Sequence, residues 1–213
     1  MATLWHRSRH LFASGFAGVF ALVAVSGLYY RGVLTFLPDL LTPLFTVDLP
    51  MEVETGRYVY AGLLAIGIGG QYVGGRLSDR EETEWVLVGA FAVLAGVALL
   101  FLPVAGGGTV GLLVMSAVLG FFLFVVQPLY QATVAEYTPP DARGLSYGYT
   151  YLGVFGIGAA GAALSGGLLQ LSGPPLLFGA LAGVALLGAG LSAWLAVWRA
   201  QWTDPEAVGD LPP

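Results

Sequence analysis

The sequence predicts an all-α fold, a polytopic membrane bundle of six transmembrane helices, on three observations. Of its 213 residues, 57% are hydrophobic and 10% charged, where a soluble domain carries about 25% charged residues. With a mean hydropathy of +0.80, the charges are too few to coat a soluble surface, and a bilayer is the solvent that accepts the surplus apolar area. The apolar runs also lack alternation. A membrane barrel alternates with period 2 over roughly 10-residue strands, so helices are the remaining way to satisfy every backbone group in lipid.

The first span covers 11–37. His6-Arg7-Ser8-Arg9-His10 precedes it as the basic region of a signal peptide would. The run behind it, however, exceeds the ~7–15 residues of a signal core and continues through Phe36 and Leu37. The later spans cover 57–75, 85–104, 109–131, 145–170 and 175–198. Each is long enough for a hydrocarbon core of ~30 Å at 1.5 Å per residue. Together they make one six-helix domain over 1–213. The connectors, 38–56, 76–84, 103–108, 138–144 and 172–174, hold the prolines, glycines and charges expected of loops.

Orientation follows from arginine placement, because cytoplasmic loops hold the excess of basic residues. With the N-terminus inside, Arg7, Arg9, Arg76, Arg80, Arg143 and Arg199 all fall inside. Arg57 falls outside, and Arg31 sits in or near the first span. Both termini are therefore expected in the cytoplasm and the chain in the cell membrane. Trp5, Trp85, Trp194, Trp198 and Trp202 mark the same side, as interfacial aromatic belts do.

Small residues recur at helical spacing. Gly70 and Gly74 are spaced GxxxG, as are Gly179 and Gly183, while Gly158, Gly161, Ala162 and Gly166 make a ladder in span 5. Such faces let helix backbones approach closely in lipid.

Composition excludes several functions. There is no Cys, Lys or Asn, hence no disulfide framework, thiol nucleophile or thiolate metal site. No cofactor or metal is expected. Gly156-Ile157-Gly158-Ala159-Ala160-Gly161 matches the dinucleotide-binding pattern, but it lies inside an apolar span with no strand before it. With net charge −5 and no basic stripe, a nucleic-acid partner is not expected. The only histidines, His6 and His10, precede the first span, so an intramembrane enzyme would lack its nucleophile and base. No acidic residue lies deep in any span, which leaves no buried carboxylate relay for protons.

Among candidate binding residues Arg31 stands first. A cation in a bilayer faces a wet cavity or a partner, or it snorkels from a helix end; both readings stay open here. Tyr30 flanks it. Gln71, Gln127 and Gln131 are polar positions in spans 2 and 4, and Tyr147 and Tyr151 open span 5. These groups either line a cavity or hydrogen-bond helix to helix. Glu136 and Arg143 flank one cytoplasmic connector, either as a gate ion pair or as a solvated surface pair.

Gly75-Arg76-Leu77-Ser78-Asp79-Arg80 joins spans 2 and 3. Taken by itself it controls topology and places carboxylates near a helix start. In this position it also resembles the first half of the loop motif of the major facilitator superfamily, carried here by Gly75, Arg76, Asp79 and Arg80. The family pattern continues with an aromatic residue, Gly and two basic residues; this chain has Glu81-Glu82-Thr83-Glu84 instead. The stretch from Arg31 to Pro38 resembles the end of a family half's first helix. The stretch from Ala135 to Gly144 resembles the link between its fourth and fifth. Gly161 to Gly167 is similar to the antiporter stretch of the family, without its proline.

The resemblance implies two six-helix halves, each a 3+3 inverted repeat, of which this chain matches one, the C-terminal one by motif quality. It implies a secondary active transporter that moves a small solute by alternating access, not an enzyme. The implied partners are the lipid bilayer, a small-molecule substrate, and a second half or a second copy of this chain. A truncated remnant or a membrane scaffold is the alternative.

Overall fold

The computed structural model describes residues 8–9, 11–42 and 55–203. His6, Arg7, His10, Trp5 and most of the first connector lie outside the described residues. The described residues form six long helices and no strand. A π-turn over Phe12–Phe16 leads into α1 (Ala17–Leu41). Then follow α2 (Thr55–Ser78), α3 (Thr83–Ala105) and α4 (Thr109–Glu136). A short 3-10 turn at Pro140–Ala142 precedes α5 (Arg143–Ser172), and α6 is Pro174–Thr203.

Local chemistry sets the breaks. Gly108, at φ 131°, precedes α4, and Gly173, at φ 72°, ends α5; both are conformations that glycine adopts without a Cβ clash. Pro174 opens α6, where a missing N–H costs no helical bond.

Two boundaries differ from expectation. The first helix runs through Pro38 to Leu41 rather than stopping before it. Proline withholds a donor from the Leu34 carbonyl four residues earlier and crowds it, a loss that membrane helices tolerate. One turn on, the Pro38 carbonyl accepts both the Thr42 amide and, at 3.2 Å, the Thr42 hydroxyl, which holds the helix end. The fifth span is not one continuous α-helix. It widens into a π-turn at Leu152–Ile157, where the Gly158 amide donates to the Gly153 carbonyl at 2.8 Å.

Five helices, α1, α3, α4, α5 and α6, are long and apolar enough to cross a membrane. Six were expected. The shortfall is α2, which has the length, 24 residues, but whose Arg57, Gln71 and glycines lower its mean hydropathy.

The buried core is aliphatic and aromatic, with α1 at its centre. α1 packs against α2, α4, α5 and α6; the other main pairs are α2 with α4, α3 with α4, and α3 with α6. The α2–α4 contact is made by backbone. A Cβ on Gly70 would meet the Phe121 carbonyl oxygen, and one on Gly74 would lie 2.5 Å from that of Val125. The α1–α5 contact is alike: a Cβ on Gly27 would lie 2.8 Å from the Val154 carbonyl oxygen, and Gly158 sits against Gly27. Gly161 and Gly166 also face α1, against Leu28 and Phe36. The Gly179 and Gly183 pair of α6 faces open space, so that ladder is no helix seam among the described residues.

Candidate functional site

A cavity of about 230 Å³ lies among α1, α3, α4 and α5. Helical spacing builds it. Ser26, Gly27, Tyr30 and Arg31 share one face of α1, and Leu123, Val126, Gln127 and Tyr130 share one face of α4; both sets follow the i, i+3, i+4 rule. From α3, Phe91 and Leu94 contribute, and from the π-turn of α5 come Val154 and Phe155. π-turns are frequent at functional sites because the extra residue re-aims side chains.

Arg31 is a wall residue of this cavity and not a helix-end cation. The helix continues ten residues past it to Leu41, about 15 Å at 1.5 Å per residue. A cation near the middle of a membrane-spanning helix costs about 2.5–3.5 kcal/mol to insert, so its surroundings matter. Its guanidinium carbon lies 5.5 Å from the centroid of the Phe155 ring, within cation–π range. Asp39 is no partner: eight residues along one helix separate the two by about 12 Å.

The other polar walls are mostly spent. Ser26 Oγ donates to the Leu22 carbonyl at 2.8 Å, and the Tyr29 hydroxyl donates to the Leu94 carbonyl at 3.2 Å, tying α1 to α3. Gln71 Nε2 donates to Gln127 Oε1 at 3.3 Å across the α2–α4 seam, bringing two sequence-predicted residues together. Tyr30 packs edge-on against Phe124, 5.9 Å between centroids. Tyr151 stacks on Phe155 at 5.8 Å without lining the cavity itself. Gln131, one turn beyond Gln127 on α4, and Tyr147, one turn before Tyr151 on α5, are exposed. Sequence reasoning missed Tyr130 and Phe155. The signal for Tyr130 was available: it lies three residues beyond Gln127, on the same helix face.

A second polar centre lies where the ends of α3, α4 and α6 meet. Arg199 Nη1 reaches Glu136 Oε2 at 2.6 Å and Glu84 Oε1 at 3.1 Å. The expected partner of Glu136 was Arg143; tertiary packing supplies Arg199 instead, because α6 ends beside α4. Arg143 is exposed at the start of α5. Glu84 is 1% exposed. It also accepts a hydrogen bond from the Tyr137 hydroxyl at 2.8 Å, and the Thr83 hydroxyl lies 3.3 Å from its Oε2. Burial first, and then the bond to Glu84, push the Tyr137 hydroxyl above its ordinary pKa. The Tyr137 ring stacks on Trp198 at 5.9 Å.

The Gly75–Arg80 motif lies beside this centre in sequence and apart from it in bonding. Arg76 Nη1 donates to the Tyr72 hydroxyl at 3.1 Å. Asp79 and Arg80 are exposed in the turn after α2, and the Arg80 amide closes that turn on the Leu77 carbonyl at 3.1 Å.

Residues 3–160 match the family model described as Major Facilitator Superfamily. The match covers well over half of the chain and includes every residue that lines the cavity. No curated protein matches the chain.

Proposed function

Because the chain belongs to the Major Facilitator Superfamily, we propose that it is a secondary transporter, or one six-helix half of one, moving a small solute across the cell membrane by alternating access. We read α1–α3 and α4–α6 as two repeats of opposite orientation. One observation supports this above the others. Exchange α1 with α4, α2 with α5 and α3 with α6. The α1–α5 pair then becomes α4–α2, the α1–α6 pair becomes α4–α3, and α3–α6 maps onto itself; each of these is a packed pair. The backbone-to-backbone seams at Gly70 and Gly158 are exchange partners of this kind.

A second six-helix unit, another chain or a copy of this one, completes the proposal. Its support is the one-sided burial of α2. Val59, Leu63, Gly67, Gly70 and Gly74 form its single buried stripe, while Ile66, Ile68 and Tyr72 are exposed. α5 is likewise buried along one stripe, through Ser146, Thr150, Gly153, Gly158, Gly161 and Ser165. The excess of arginine at the ends of α2, α6 and the start of α5 supports a cytoplasmic location for that side, and with it for both termini.

The chain has no cysteine, so one introduced thiol reports alone. In alternating access, a Gln127→Cys thiol in the cavity reacts with a membrane-impermeant maleimide from either face, tested in right-side-out and inside-out vesicles. Labelling from one face only would identify a static scaffold.

A further inference from the structure

We propose that the cavity binds a small monocarboxylate with an apolar, preferably aromatic, body, its carboxylate on Arg31. The inference rests on reading this cavity as the solute site, and it names the solute's chemistry.

Charge comes first. Among the described residues that line the cavity, Arg31 alone is charged. A guanidinium carries five N–H donors and no acceptor. Among the described residues those donors have no hydrogen-bond or ion-pair partner; the contact of the group is the face of Phe155. A cation held inside a membrane protein without an anion calls for one, and a planar carboxylate matches the guanidinium fork with two parallel bonds. A cationic solute would be repelled at the same place.

Number comes next. One arginine balances one negative charge. A dicarboxylate or a doubly charged phosphate would leave a second charge with only neutral groups around it, which is unfavourable away from water. A monoanion is therefore the match.

Shape and size complete the description. Phe91, Tyr29, Tyr30, Tyr130 and Phe155 bring ring surfaces to the walls, with Leu94 and Val126 between them. Rings pack well against rings in offset or edge-on geometry. At about 230 Å³ the cavity falls below the ~300–1,000 Å³ of sites that take drug-sized ligands, so the body is of the order of a single ring. The Tyr30 and Tyr130 hydroxyls and the Gln127 amide offer further donors to the carboxylate.

The test uses the purified full-length chain in detergent, with benzoate, its neutral isostere benzamide, the dianion terephthalate and inorganic phosphate as probes in calorimetry. Benzoate is expected to bind, and each of the others to bind at least about tenfold more weakly. Arg31→Ala should weaken benzoate by about tenfold or more, with Arg31→Lys in between, while the thermal melt without ligand shifts little. Equal binding of benzamide and benzoate would overturn the proposal. So would undiminished benzoate affinity in a folded Arg31→Ala protein, or no benzoate binding by the folded wild type, the outcome expected if a carboxylate from a second unit neutralises Arg31. Should Arg31→Ala not fold, the comparison of benzoate with benzamide on the wild type decides alone. Benzoate binding combined with one-sided labelling of Gln127→Cys would keep the anion site and remove transport. Two-sided labelling without benzoate binding would keep transport and remove the anion site.

Discussion

Glu84 is the residue on which one end of the bundle turns. A carboxylate removed from water is tolerated only when it is paired and hydrogen-bonded, and here Arg199, Tyr137 and Thr83 all approach it. Removing one partner of a buried pair is worse than removing both, because it strands a charge. Arg199→Ala should accordingly lower stability by about 2–4 kcal/mol, read as a drop of several degrees in the melt of the purified protein. Adding Glu84→Gln to that variant should restore part of the loss, and a double variant no more stable than Arg199→Ala would contradict the account. This centre was not legible in the sequence. Glu136 and Arg143 are close along the chain, so they suggested each other. Arg199 lies 63 residues from Glu136 and reaches it only because α4 and α6 end side by side. Glu84 was read as part of a loop, although Glu84, Leu87 and Phe91 already fall on one buried helical face.

Elements are held together by what their seams lack. At α2–α4, side chains are replaced by glycine, so the helices touch through backbone, and overpacking such a contact destabilises by about 1–3 kcal/mol. Gly74→Ala places a methyl 2.5 Å from the Val125 carbonyl oxygen, and it should lower the melting temperature or open the seam. Gly75→Ala, one position on, has nothing within 4 Å and should leave the melt unchanged or slightly raised, since alanine favours helix. Equal effects of the two would show that the seam is not where the structure places it. The positions of five helices were legible in apolar runs long enough to cross a membrane, and that of α2 in a shorter, more polar run bounded by the loops around it. Three features were not. Pro38 reads as a stop, yet the helix continues through it to Leu41. Nothing in a run of apolar residues marks a π-turn such as Leu152–Ile157, which arises where α5 crosses α1 at Gly27. The Gly179–Gly183 spacing was identical to that of Gly70–Gly74, but the face it marks is turned away from the other helices.

The whole molecule depends on parity. If each of the six helices crosses the membrane, the turns after α2 and α4 lie on one side and those after α3 and α5 on the other, and the two three-helix sets are inverted with respect to each other. The meeting of Glu84, Glu136 and Arg199 fits this arrangement, since it joins the start of α3 to the ends of α4 and α6. The helix on which parity hangs is α2, the one whose hydropathy falls short; were it to lie along the surface, every later segment would reverse. Single cysteines at Asp79, Gly107, Pro140 and Ser172, in a chain that has none of its own, measure this directly with an impermeant maleimide on intact cells. The account predicts labelling at Gly107→Cys and Ser172→Cys from outside, and at Asp79→Cys and Pro140→Cys only after the membrane is opened. Labelling of Asp79→Cys on intact cells, or of Asp79→Cys and Pro140→Cys from opposite sides, would contradict it.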